Sequence, residues 1–230
     1  MQEKIYTIPL NESFEQPHGC PICRLKEKLE SDGLEYILGA AMMEPEVRIF
    51  TNKLGFCRPH LSKMLGMKNR LGMSLILQTY TEETIDKAFA GGVFSKADCT
   101  KAADTLRKRT ETCFICKQIE EHMRHYLDNC VYLWETQEEF RRKFAECEFV
   151  CMPDAEALLM HGAARLPKKK QSEFVSAVYD QVRTRLIAAK EDLDAFCRSF
   201  EYQNAGVALT ENQKRAAECA SDVLRGIETL

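Results

Sequence analysis

No stretch of this 230-residue chain approaches the roughly twenty consecutive apolar residues that a membrane-spanning helix needs. The opening residues, Met-Gln-Glu-Lys-Ile-Tyr-Thr-Ile-Pro-Leu, also lack the apolar segment of an export signal. A membrane partner is therefore excluded, and a cytoplasmic location is expected. An excess of one charge is missing too: 32 Lys and Arg stand against 35 Asp and Glu, for a net −3. That balance provides no basic face for nucleic acid or an anionic surface. Strand signals are scarce, since no run alternates apolar and polar residues between tight turns. What remains is an ordinary globular composition, 45% hydrophobic and 29% charged, long enough for one large core or two smaller ones.

Cysteine, by contrast, is abundant. There are 11, an odd number. In a reducing compartment, clustered cysteines point to metal or redox chemistry rather than to a disulfide framework. Cys99, Cys130, Cys197 and Cys219 stand alone and are expected to be small packing residues.

Six of the other seven, all but Cys147, fall into a repeat. Residues 20–65 open with Cys20-Pro21-Ile22-Cys23 and close with Cys57-Arg58-Pro59-His60. Residues 113–159 open with Cys113-Phe114-Ile115-Cys116 and close with Cys151-Met152-Pro153-Asp154. Each has an acidic-apolar-Arg step between, Glu46-Val47-Arg48 and Glu139-Phe140-Arg141. Cys23 to Cys57 is 34 residues and Cys116 to Cys151 is 35, a difference that one insertion explains. The fold class expected is all-α: tandemly duplicated helical modules, each with a C-x-x-C and a C-x-P-x half-site, plus C-terminal helices. The expected divisions are 1–95, 96–166 and 167–230, forming one compact unit.

Within that frame, Pro21, Pro59 and Pro153 each suit the first turn of a helix, where a missing N–H costs nothing. The helix after Pro59 is expected to run to Phe89 and stop at Gly91-Gly92, with the next beginning near Ser95. Pro167 and Lys168–Lys170 read as a connection. A long helix over 172–200 should bury Phe174, Val178, Val182, Leu186, Leu193 and Phe196. Thr210-x-x-Gln213 reads as a capping box for a final helix.

A structural zinc site takes four thiolate or imidazole ligands in a tetrahedron. Two helical segments folded back on each other would bring Cys57 and His60 to Cys20 and Cys23, the first expected site. Thiolates at helix N-termini are stabilised there by the dipole. The second expected site, Cys113, Cys116, Cys151 and Asp154, is degenerate because Asp154 stands where the first repeat has His60. Asp154 could ligate through oxygen or simply complement the helix N-terminus. Cys147 is an alternative fourth ligand. One zinc ion is expected, and the degenerate site leaves a second open. His122 and His125 lie on one helix face but lack a carboxylate at an informative spacing, so solvated or capping roles are favoured. His18 reads as loop, Tyr132-Leu133-Trp134 as core, Met42-Met43 as gap-filling and Arg165–Lys170 as a solvated basic loop.

Beyond those motifs, the segments Lys4–Pro9, Met42–Arg48, Gly55–His60, Lys68–Gly72, Tyr132–Trp134 and Phe200–Asn204 resemble an uncharacterised bacterial family of the Firmicutes type, a domain of unknown function. Some of its members carry the label of an ABC-transporter substrate-binding protein. The resemblance implies tandem C-x-x-C and C-x-P-H modules, the second usually closing with Gly-Phe-Cys-Leu-Pro-His. Here that stretch is Glu148-Phe149-Val150-Cys151-Met152-Pro153-Asp154. The chain shows no α/β pattern of a substrate-binding receptor.

Three functions compete at this point. A closed four-ligand site favours a structural-zinc interaction or regulatory module, with an unidentified protein partner or a homo-oligomer open. Thiol–disulfide chemistry at a C-x-x-C pair is the alternative, although no thioredoxin-like strand pattern surrounds either pair. A zinc-module nucleic-acid binder is the third, opposed by the acidic balance. No catalytic residue is assigned, and an enzyme is the less favoured class.

Overall fold

The computed structural model describes residues 2–89, 98–204 and 206–227, with side chains from residue 5 onward. Every regular element among them is helical: twelve α-helices and two short 3-10 turns, with no strand. The all-α class and the tandem helical modules expected from sequence are thus what the protein has.

The chain divides into two compact units. One is Lys28–His122; the other joins the residues up to Glu27 with those from Met123 onward. The divisions fall inside two long helices, α2 (Pro21–Leu38) and α7 (Phe114–Thr136).

In the 28–122 unit, the second half of α2 is followed by a 3-10 turn (Ala40–Met43), α3 (Pro45–Leu54), α4 (Arg58–Gly66), α5 (Arg70–Ala88) and α6 (Cys99–Thr110). Leu34, Ile37, Leu38, Phe56, Met64, Met73, Ile76, Phe114 and Ile115 form its core. The single helix expected from Pro59 to Phe89 is two. Asn69 interrupts it, its side-chain oxygen accepting from the Gly72 amide at 2.9 Å while its amide donates to the Leu38 carbonyl at 2.5 Å. A side-chain cap of this kind satisfies an otherwise orphaned N–H and starts a new helix. The Gly91-Gly92 stop and the start near Ser95 lie outside the described residues.

In the other unit, α1 (Gln2–Glu15) is a helix the sequence reading did not assign, with Pro9 inside it. Leu10, Ser13 and Phe14 are its buried face, at helical spacing. Phe14 meets Phe140 and Phe144 of α8 (Glu138–Glu146) at ring-centroid distances of 5.0 and 5.7 Å, and Trp134 of α7 packs on Phe174 of α10 (Lys168–Arg198) at 4.9 Å. Such edge and offset aromatic contacts stabilise a core beyond area alone. Trp134 and Leu133 are buried as expected, whereas Tyr132 is exposed on the opposite face. The Lys168–Lys170 run is not a connection: Pro167 is the N-cap and the three lysines form the first turn of α10, with Lys170 3.3 Å from Glu135. On α10, Phe174, Val178 and Ala189 are buried, while Val182, Leu186, Leu193 and Phe196 are half-buried. The capping box at Thr210 and Gln213 is present, but it opens a four-residue α11 (Glu211–Lys214), and α12 (Ala216–Arg225) follows after Arg215.

Candidate metal centres

Four helix starts carry the chemistry. The carbonyls of Cys20, Cys57, Cys113 and Cys151 accept the first helical hydrogen bonds of α2, α4, α7 and α9 (Met152–Arg165), at 3.2, 3.0, 3.1 and 2.8 Å. Each therefore sits at an N-cap, and the residue three further on, Cys23, His60, Cys116 or Asp154, lies in the first turn. Pro21, Pro59 and Pro153 occupy the positions where a missing N–H is harmless. Two ligand atoms thus emerge beside each positive helix end, where anionic sulfur is stabilised.

The pairing of these four half-sites corrects the sequence expectation. Cys57 and His60 close on Cys113 and Cys116, and Cys20 and Cys23 close on Cys151 and Asp154. Neither the set Cys20, Cys23, Cys57, His60 nor the set Cys113, Cys116, Cys151, Asp154 is assembled. Each C-x-x-C is matched with the C-x-P-x of the other repeat. In the 28–122 unit, α3 ends at Leu54, and Gly55 and Phe56 lead directly into Cys57 at the start of α4. At Gly55 the chain is then caught by the start of α7. The Phe114 amide donates to the Gly55 carbonyl at 2.9 Å and the Thr112 hydroxyl to that of Leu54 at 2.7 Å. Arg109 donates to the Asn52 carbonyl at 2.9 Å, and Tyr80 to that of Arg109 at 3.0 Å. Gly55 itself has φ +62°, and a Cβ there would run into the Tyr80 ring, so only glycine fits.

In the first cluster, His60 Nδ1 lies 3.0, 3.2 and 3.4 Å from the sulfurs of Cys57, Cys113 and Cys116, and Cys57 and Cys116 are 3.8 Å apart. With Nδ1 turned to the sulfurs, Nε2 carries the proton toward Glu30 Oε1 at 2.9 Å, and Glu30 Oε2 accepts from Lys63 at 2.7 Å. Burial alone would raise the Cys113 thiol, but His60 and the amides of Cys116 and Cys57 outweigh it and bring it down to about 6. Burial and the neighbouring Cys113 push Cys116 up to about 12, and burial pushes Cys57 up. His60 is raised, chiefly by its hydrogen bond to Cys113.

The second cluster is the more enclosed. Asp154 Oδ2 lies 3.4, 3.2 and 3.0 Å from the sulfurs of Cys20, Cys23 and Cys151, and Cys23 and Cys151 are 3.6 Å apart. Asp154 Oδ1 pairs with Lys26. Burial, then the adjacent Cys23, raises the Asp154 carboxyl. Cys20 is lowered, because hydrogen bonds from Cys151 and Cys23 outweigh its burial, and Cys151 is raised in consequence. The Gly19 amide donates to Glu148 at 2.5 Å, and Glu148 lies 3.4 Å from Arg185, which ties the turn before Cys20 to the loop before Cys151. Gly226, at φ +88°, covers the sulfurs: a Cβ there would sit 3.4 and 3.5 Å from those of Cys23 and Cys151.

Both donor sets fit a tetrahedral thiophilic cation. With metal–sulfur bonds near 2.3 Å, tetrahedral sulfurs stand about 3.8 Å apart, and sulfur to a nitrogen or oxygen ligand about 3.5 Å. The sulfur–sulfur distances of 3.8 and 3.6 Å match, the others are slightly shorter, and all four donor atoms of each cluster lie within 4.8 Å of one another. Three thiols this close cannot all ionise together, so one in each cluster is lowered while a neighbour is raised, and a cation would remove that conflict.

Other expected residues take other roles. Cys147 joins neither cluster; its sulfur turns to the Phe144 carbonyl at 3.2 Å and Gln181 at 3.6 Å, and burial pushes its thiol up to about 12. Of the isolated cysteines, Cys130 is buried, Cys219 half-buried, and Cys99 and Cys197 exposed, so packing explains only the first two. His125 stacks on Tyr6 at 5.0 Å. The His18 carbonyl accepts from Arg24. Arg165 pairs with Asp128 rather than lying free in a loop. Met43 is exposed and only Met42 packs on the core. Sequence reasoning missed Glu30, Lys63, Lys26 and Gly226. Lys26 and Glu30 follow Cys23 at helical spacing on α2, which was a usable signal; nothing local marked Gly226.

Among the described residues no helix is long and apolar enough to cross a membrane. No curated protein and no solved structure matches the chain. A family model does, over residues 1–228, and the chain belongs to that family of unknown function, DUF6062.

Proposed function

We propose that this is a zinc-stabilised helical protein with two closed sites, serving as an interaction or regulatory module rather than an enzyme. Zinc bound at Cys57, His60, Cys113 and Cys116, and at Cys20, Cys23, Cys151 and Asp154, would cross-link two helix starts in each unit. The observation that carries the reading is the convergence of four donor atoms, each set presented at two helix N-termini, at spacings near those of a zinc tetrahedron. Three thiolates with a histidine is a common structural zinc set; replacing the nitrogen by a carboxylate adds a negative charge, which Lys26 offsets. With all four positions filled by protein, no open position is left for a substrate.

Elemental analysis of protein purified without a chelator or metal-affinity tag tests the reading. Two zinc ions per chain are expected, and stripping them should lower Tm by at least about 10 °C. Protein that carries no metal, or melts unchanged after stripping, refutes it.

A further inference from the structure

The two clusters have nearly the same donors and opposite access to solvent. Cys20, Cys23, Cys151 and Asp154 are all buried, at 0, 6, 1 and 0% exposure, beneath Gly226. In the other cluster Cys113 and His60 are buried, but Cys57 is half-buried and Cys116 is exposed. These two less buried cysteines have their sulfurs 3.8 Å apart and come from different helix starts, those of α4 and α7. A disulfide between them would draw the sulfurs from 3.8 Å to about 2.05 Å.

We infer that Cys116 and Cys57 form a peroxide-reactive thiol pair, so that the cluster at Cys57, His60, Cys113 and Cys116 releases its metal on oxidation while the buried cluster keeps its own. The inference rests on the zinc reading above. Oxidation of cysteine follows thiolate character and exposure, and a metal-held thiolate that faces water has both. The Cys116 sulfur attacks hydrogen peroxide, the O–O bond breaks, an S–O bond forms, and hydroxide leaves to take up a proton as water. The Cys57 thiolate then displaces the oxygen from Cys116; the S–S bond forms, the S–O bond breaks, and a second proton completes a second water. Two thiolates have lost two electrons and one peroxide has gained them. Cys113 and His60, two donors alone, no longer close a tetrahedron. Cys113 is a poorer partner for Cys116, since its sulfur is buried and holds His60 Nδ1 at 3.2 Å and the Cys116 amide at 3.5 Å.

The test uses the full chain carrying Cys99→Ser and Cys197→Ser, which removes the two exposed cysteines outside the clusters. Metal content is measured first, then hydrogen peroxide is added at near-equimolar amounts, zinc release is followed with a chromophoric chelator, and disulfides are mapped by peptide mass spectrometry. The expected result is loss of one zinc of two, a Cys57–Cys116 bridge, and unmodified Cys20, Cys23 and Cys151. Thiol reductant with added zinc should restore the original content. Because Cys116→Ser could itself weaken the site, the mapping on the otherwise native cluster is the primary readout. Two zinc ions held and neither released, both released together, or a Cys113–Cys116 bridge overturns this inference and leaves the zinc reading standing. Protein that holds no metal at the outset overturns both.

Discussion

Replacing Glu30 by Gln should weaken metal binding at one cluster and not the other. Glu30 accepts from His60 Nε2 at 2.9 Å and from Lys63 at 2.7 Å, with its side chain only 12% exposed. The first contact fixes the imidazole so that Nδ1 faces the three sulfurs, and the carboxylate charge makes that nitrogen a better donor. Glutamine keeps the volume and can offer its carbonyl to His60, but it loses the charge and turns its NH2 toward the Lys63 ammonium. Loss of such a supporting partner costs about 10- to 100-fold in metal affinity, or about 1.4 to 2.8 kcal/mol. A competition titration with a chromophoric chelator on both proteins should show one unchanged site and one weakened to that extent. Glu30→Ala should lie at the upper end and Lys26→Met should affect only the other site, because Lys26 pairs with Asp154. Equal weakening of both sites, or less than about a twofold change at the site that holds His60, would refute the reasoning.

Three further outcomes follow from named contacts. Cys20→Ser should lower metal content by one ion and make Cys23 and Cys151 alkylatable while Cys57 and Cys113 stay protected; Cys57→Ser should do the reverse, and exposure of Cys57 by Cys20→Ser would revive pairing within a repeat. Gly162→Ala should lower stability by about 1–3 kcal/mol in denaturant unfolding, because its Cβ would lie 2.7 Å from two atoms of the buried Phe174 ring; an unchanged midpoint would contradict the packing. Asp128→Asn should cost about 0.5–1 kcal/mol at pH 7, a small figure because the pair with Arg165 is partly exposed. Burial alone would raise the Asp128 carboxyl, but Arg165 and His161 outweigh it and hold it below the ordinary range. A depressed folded value contributes stability above the unfolded pKa and loses it as pH falls, so the difference between wild type and variant should close below about pH 4. A gap that persists at lower pH would reject the ion pair as its cause.

Much of the protein could be read locally. Periodic apolar residues, Pro21, Pro59 and Pro153 at helix starts, and the Thr210 and Gln213 capping box are short-range signals, and the helices they mark are present. The donor groups of the two clusters were legible for the same reason, since C-x-x-C and C-x-P-x place two donors on one turn of backbone. Breaks were harder: Asn69 stops and restarts a helix because its side chain reaches both the Gly72 amide and the Leu38 carbonyl, and the second partner is 31 residues away in sequence.

Which half-sites meet was decided by tertiary structure alone. A repeat says that two kinds of half-site exist twice, and both the direct and the crossed pairing use the same four pieces. The choice depends on the hydrogen bonds from the Phe114 amide, Thr112 and Arg109 that seat the start of α7 beside Gly55. Those are contacts between residues more than fifty positions apart, and no local spacing encodes them. Solvent access is equally non-local: the donors alone cannot say that one cluster lies beneath Gly226 while the other shows Cys116 to water.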